Sequence, residues 1–208
     1  IHTINSNTDQ INWSEFNVPR IMSLSFKSLI DHRSLDISFV LKHYLNHIYF
    51  NDIVSPVQST ESVLYSNLKL EKRFQFKYIS LSSVICLQNS SDATILPVPF
   101  LFYDQKIQYD RLVFSDLRLL TSLNVRLFSK YYIPSYFPLT DIFYHQNNIK
   151  NGMKPLASLD ISIYKENFSF GLIADNLQSF LYEGISLVQD YFLPPFLLRT
   201  SIKWQFID

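Results

Sequence analysis

The chain has 208 residues, with eighteen basic and eighteen acidic side chains, and charged residues make up 17% of it. That balance leaves no electrostatic footprint for nucleic acid, and the charged fraction lies below the roughly 25% usual in soluble proteins. Aromatics reach 16%, with 18 Phe and 13 Tyr, while the single Cys86 excludes an intrachain disulfide framework and a cysteine-rich metal site.

Taken in chain order, the dominant period is two, the alternation of a half-buried strand. Strands are predicted over 18–29, 33–45, 61–73, 76–88, 98–110, 117–130, 155–166, 167–178 and 195–207. In the second, Leu35, Ile37, Phe39 and Leu41 oppose Asp36, Ser38 and Lys42. In the sixth, Leu119, Leu123, Val125 and Leu127 oppose Arg118, Ser122, Asn124, Arg126 and Lys130. The seventh sets Leu159, Ile161 and Ile163 against Ser158, Asp160 and Ser162. The last sets Phe196, Leu198, Thr200, Ile202, Trp204 and Phe206 against Leu197, Arg199, Ser201, Lys203 and Gln205. Most of these runs are long for soluble strands, which average about 5–6 residues, and match the roughly 9–11 of a membrane-spanning one. No helical period competes, and no apolar run approaches the roughly 18 residues that a spanning helix needs.

The connections alternate. Short ones are predicted near 30–32, 74–75, 111–114 and 166–167, and long ones near 50–60, 89–97, 132–154 and 179–194, which hold most of the prolines. Outer-membrane barrels alternate in this way because periplasmic turns are tight and extracellular loops are long. A Greek-key sandwich has no reason to do so. The predicted fold is therefore all-β, an antiparallel up-and-down transmembrane β-barrel in a bacterial outer membrane. With a periplasmic C-terminus, the first predicted strand runs downward from outside the cell. Nine strands is an odd number, whereas single-chain bacterial barrels are even. Residues 1–208 are thus expected to be the C-terminal part of one barrel domain, preceded by further strands and a signal peptide. No signal-peptide pattern opens the chain itself.

Four segments carry a family likeness: HIYFNDIVSPVQ (47–58), ATILPVPFLFYDQKIQYD (93–110), RLFSKYYIPSYFPLTDIFYHQ (126–146) and LRTSIKWQFID (198–208). Through them the chain, from Phe26 to Asp208, resembles the Bacteroidota-type putative porin family. The third segment is the most specific, with its paired Tyr, spaced prolines and terminal Phe-Tyr-x-Gln. The last looks like the aromatic-ended closing strand that barrel-assembly machinery recognises. The resemblance implies an outer-membrane barrel with outer-membrane lipid and that machinery as partners. The chain departs from the family in holding only three glycines, a compositional bias, and in a loose match over 179–195.

In a barrel the lumen-facing side chains decide what passes. Parity points Arg118, Arg126, Lys130, Asp160, Arg199 and Lys203 inward, with Asp36, Lys42, Lys69 and Glu71. Two readings stay open: a mildly cation-lined channel favouring anionic or polar solutes, and a wet, salt-bridged lumen without special selectivity. Tyr131, Tyr132, Tyr136 and Phe137, with Phe143 and Tyr144, suit a headgroup-level aromatic girdle at one end, with a sugar-stacking platform as the sharper alternative. Trp204 and Phe206 suit the girdle at the other end, and Tyr49 and Phe50 the extracellular rim.

Enzymatic chemistry finds little support. His2, His32, His43, His47 and His145 are scattered, and the four-residue spacing of His43 and His47 separates them on a strand. There is no Gly-x-Ser-x-Gly elbow and no glycine-rich phosphate loop. Cys86 falls on the polar side of its strand as an incidental thiol. No cofactor is expected. The function these residues support is a channel for passive diffusion of small polar solutes, with homo-oligomerisation open. The alternatives are a structural or interaction barrel that conducts little, and a soluble carbohydrate-binding β-sandwich.

Overall fold

A computed structural model describes residues 15–30, 35–114, 116–182 and 184–205. His2, His32 and Phe206 lie outside the described residues. The alternating runs form nine strands, numbered here in chain order: β1 (Arg20–Ile30), β2 (Leu35–Leu45), β3 (Val63–Gln75), β4 (Ile79–Ser90) and β5 (Leu101–Leu112). Then follow β6 (Leu117–Phe128), β7 (Leu156–Lys165), β8 (Phe168–Asp175) and β9 (Leu197–Trp204). All nine belong to one sheet, in which each strand is hydrogen-bonded to its neighbours in sequence. Every pairing is antiparallel and free of register shifts. β1 and β9 are the two edges of this open meander, and no closed barrel forms among the described residues.

Strand length runs from 13 residues in β3 to eight in β8 and β9. The last two are shorter than their alternation suggests. Asn176 adopts a left-handed conformation (φ 56) and turns the chain into a 3-10 turn over Leu177–Phe180, which ends β8. At β9, Pro194 and Pro195 have no N–H to give a ladder, so pairing begins at Leu197. Pro97 and Pro99 delay β5 to Leu101 for the same reason.

Short connections fall at 31–34, 76–78, 113–116 and 166–167, and long ones at 46–62, 91–100, 129–155 and 176–196. Consecutive strands are antiparallel, so the short turns gather at one end of the sheet and the long loops at the other. The long loops are more ordered than their composition suggests. Ile48–Phe50 pairs with Pro56–Gln58, Ser135–Phe137 with Ile142–Tyr144, Tyr131–Tyr132 with Lys150–Asn151, and Ser186–Val188 with Tyr191–Phe192. No described helix is long and apolar enough to cross a membrane.

Candidate functional site: the polar face and its loop layer

Side chains directly opposite on paired strands share a face, so the register sorts the whole sheet into two. One face carries Asp36, Lys42, Lys69, Glu71, Asp104, Asp110, Arg118, Arg126, Asp160, Arg199 and Lys203, in rows such as Glu71–Val84–Asp104–Arg126. Cys86 lies on it too, opposite Lys69. Lys130 follows the end of β6, beyond the paired register. The opposite face carries Leu24, Phe26, Phe39, Leu68, Ile85, Leu123, Ile161, Phe170, Ile202 and their like, and no acidic side chain in any of the nine strands. Its basic residues, Arg20, Lys72, Arg111 and Lys165, all sit within the first or last four positions of a strand. One polar cluster interrupts this apolar face and is satisfied within itself. The Ser83 hydroxyl donates to Gln105 Oε1, which also accepts from Tyr103 Oη at 2.8 Å.

Charge on the polar face is largely paired within it. Arg118 grips Asp110 through two bonds, Nε–Oδ1 at 2.7 Å and Nη2–Oδ2 at 2.5 Å. Arg126 Nε donates to Asp104 Oδ2 at 3.0 Å, and Arg199 Nε to Asp175 Oδ2 at 2.8 Å. Glu71 lies between Lys69 (3.2 Å) and Arg73 (2.7 Å). Ser162 Oγ donates to Asp160 Oδ1 at 2.8 Å. All three arginines of the predicted inward set are thus paired, while Lys27, Lys42, Lys106 and Lys203 stand outside any ion pair among the described residues. Asp104, Asn124, Arg126, Ser158 and Asp175 line a polar depression of about 200 Å³ on this face.

Burial shows which face is covered. The buried residues of the nine strands are Val63, Ser122, Phe128 and Gly171, and all four lie on the polar face. No described residue of the apolar face is buried; Phe26 is 62% exposed and Ile202 70%. The remaining buried side chains belong to the long loops, among them Ile95, Ile133, Gln146, Gln178 and Ile185. Gln146 knits the third long loop together. Its Nε2 donates to the carbonyls of Ile133 (2.6 Å) and Ile149 (2.7 Å), and its Oε1 accepts the N–H groups of Asn148 and Ile149.

Contacts between loops make one layer. The His145 N–H donates to Phe50 O at 2.8 Å, joining the first and third long loops. Gln189 N donates to Pro134 O at 2.8 Å, Ser135 Oγ to Gln189 Oε1, and Asn151 Nδ2 to Ser186 O, joining the third and fourth. His47, Tyr49 and His145 stack as a column, with ring centroids 6.3 and 5.2 Å apart, and Tyr44 packs edge-on to His47. Burial holds both imidazoles below their ordinary pKa, and His145 Nδ1 is buried with no hydrogen-bond partner. The predicted girdle aromatics of the third loop stand in this layer. Tyr131 packs on Phe128 of the polar face, Tyr132 under Lys150 Nζ at 4.3 Å, and Tyr136 between Phe143 and Tyr191, while Phe137 pairs with Ile142 in the small hairpin. Trp204, at the short-turn end, meets Phe168 edge-on at 6.0 Å.

A family model described as putative porin matches residues 2–208. The chain belongs to this family. No curated protein and no solved structure matches it. The porin-family match extends the likeness read from Phe26 onward to almost the whole chain. Among the described residues of this porin-family chain, no group of three or more His, Cys, Asp or Glu is placed to hold a metal ion. Sequence reasoning missed Gln146 and Ile133 as the centre of the loop layer. Their only sequence signal is the end of the Tyr-Tyr-to-Phe-Tyr-x-Gln segment, whose final Gln is the buried amide.

Proposed function

We propose that the sheet is part of the wall of a porin-like channel in a bacterial outer membrane, with the polar face on a water-filled lumen and the apolar face on lipid. One observation carries this reading: the apolar face of the sheet is the bare one. A sheet folded for water buries its apolar face against a second layer. Here the four buried strand residues lie on the polar face, and no described residue of the apolar face is buried. That arrangement is stable where hydrocarbon is the solvent of the outer face, with charges confined to strand ends near the headgroups. It also counts against the soluble carbohydrate-binding sandwich.

In this orientation the short turns are periplasmic and the long loops extracellular. Arg118, Arg126, Asp160, Arg199 and Lys203 face the lumen, and Lys130 stands beyond the wall at its long-loop end. The edges β1 and β9 need strand partners, because unpaired N–H and C=O groups are costly in hydrocarbon. Further strands of the same barrel, of the Bacteroidota type, supply them, and assembly machinery reads the C-terminal strand. The solutes are small and polar, and the protein acts without enzymatic chemistry. Ion pairing favours the salt-bridged lumen without special selectivity over the mildly cation-lined one. The ordered loop layer at the long-loop end favours a second reading, a barrel that conducts little. Conductance of the full-length protein in planar bilayers separates the two: stepwise openings support the channel, and a silent but inserted protein supports the closed barrel. A protein that stays in the aqueous phase without detergent sinks both.

A further inference from the structure

At the short-turn end, two cations lie over a single ring. Lys77 Nζ is 5.0 Å and Arg111 Cζ 5.1 Å from the Tyr78 ring centroid, and Tyr78 packs edge-on to Tyr109 at 6.5 Å. Lys77 and Tyr78 belong to the 76–78 turn, and Tyr109 and Arg111 to the end of β5. The Tyr78 carbonyl accepts the Asp110 N–H at 2.9 Å, which fixes the turn against β5. Parity puts Tyr109 and Arg111 on the apolar face, in register with Ile79 and beside Ile107. Both cations are exposed, and among the described residues neither has a carboxylate within ion-pair distance. The nearest acid in sequence, Asp110, is on the other face and held by Arg118.

Two like charges sharing one ring repel each other, and the quadrupole of Tyr78 offsets only part of that cost. An anion between them removes it. The apolar surface running from this cluster toward mid-sheet, with Ile79 42% and Ile107 39% exposed, suits an acyl chain. Charge and apolar surface together describe an amphipathic guest with an anionic head. We propose that Lys77, Tyr78, Tyr109 and Arg111 bind the phosphate of a phospholipid in the leaflet at the short-turn end, its chains lying along Ile79, Leu81 and Ile107. This rests on the membrane reading above.

The full-length protein, folded in a neutral detergent, is titrated with phosphatidylglycerol and with diacylglycerol of the same chain length, and retained lipid is counted by native mass spectrometry. Phosphatidylglycerol is retained in preference, and the Lys77→Gln/Arg111→Gln double variant weakens it by about tenfold or more, the order expected for two headgroup cations. Lys27→Gln/Lys106→Gln, on the polar face, leaves retention unchanged. Lys77→Gln alone, in the turn and outside every strand, gives a smaller loss in the same direction and stands in if the double variant misfolds. Equal retention of the two lipids, or equal affinity of the wild type and the Lys77 and Arg111 variants, overturns the proposal. Flotation with zwitterionic liposomes tests the underlying reading apart from it. A protein that fails to float refutes the membrane wall, while one that floats but ignores these cations refutes only the phosphate site.

Discussion

Gly152 has φ 141, and a Cβ there would meet the Ser129 carbonyl oxygen at 2.5 Å. The obstacle is backbone, so Gly152→Ala is expected to cost about 2 kcal/mol of strain. A lowered midpoint in heat-modifiable gel mobility would report it. With only three glycines available, the chain makes other left-handed turns from residues poorly suited to them, including Val54 (φ 58), Phe114 (φ 59) and Met153 (φ 63). Val54 is β-branched, the kind of side chain that resists this conformation most. Val54→Asn keeps the bond from residue 54 N–H to Asn51 O and is expected to stabilise the first long loop by about 0.5–1 kcal/mol. Slower loop proteolysis is the measurement. The scarcity of glycine therefore reads as a composition that the fold tolerates at a conformational cost, rather than as a departure from the fold.

Among the elements, β6 offers the sharpest comparison, since Leu123 and Asn124 are adjacent and lie on opposite faces at mid-strand. Leu123→Arg puts a charge on the face assigned to lipid and should cost about 2–4 kcal/mol. Asn124→Arg, beside Lys106 and Ser158 on the polar face, should cost less than about 1 kcal/mol. Urea titrations of the protein folded in vesicles compare the two, and equal costs would refute the assignment of faces. The loop layer carries a pH dependence of its own. His47 and His145 both sit below their ordinary value of 6.5, chiefly through burial; the charge of His47 lowers His145 further, and both rings stack on the Tyr49 between them. A depressed folded pKa means that the neutral ring is the one the fold accommodates. Its contribution is whole above pH 6.5 and is lost as pH falls through the folded value. Amide protection over 46–62 and 129–155, taken relative to the intrinsic exchange rate at each pH, should therefore fall on acidification from about pH 7.5 to about 5. The double variant His47→Gln/His145→Gln should flatten that response.

For the whole molecule, the paired charges of the polar face bear on selectivity more than on stability. Arg126 and Asp104 are 56% and 28% exposed, and pairs of that kind contribute only about 0.2–1 kcal/mol. Asp104→Asn leaves the Arg126 charge uncompensated on a face that already has four lysines outside ion pairs among the described residues, and in the proposed channel this face lines the lumen. The reversal potential in a salt gradient should then move toward anion preference, with little change in folding. An unmoved potential would remove Arg126 from the conducting path.

The nine strands, their two faces and the alternation of short and long connections were determined by the sequence itself. These are local properties: period two is written into neighbouring residues, and Pro, Asn and Asp mark where it breaks. The placing of Arg118, Arg126, Asp160, Arg199 and Lys203 on one face followed from that parity and needed no coordinates. Tertiary structure alone decided the rest. Arg126 meets Asp104 and Arg199 meets Asp175 across 22 and 24 residues, so their pairing depends on strand register, which alternation leaves free by steps of two. The small hairpins and the buried Gln146 and Ile133 were hidden because segments of two or three residues carry no period, and their burial comes from other loops. Which face is covered was likewise beyond any local pattern. It shows only in the folded sheet, where Val63, Ser122, Phe128 and Gly171 of the polar face are buried and no described residue of the apolar face is.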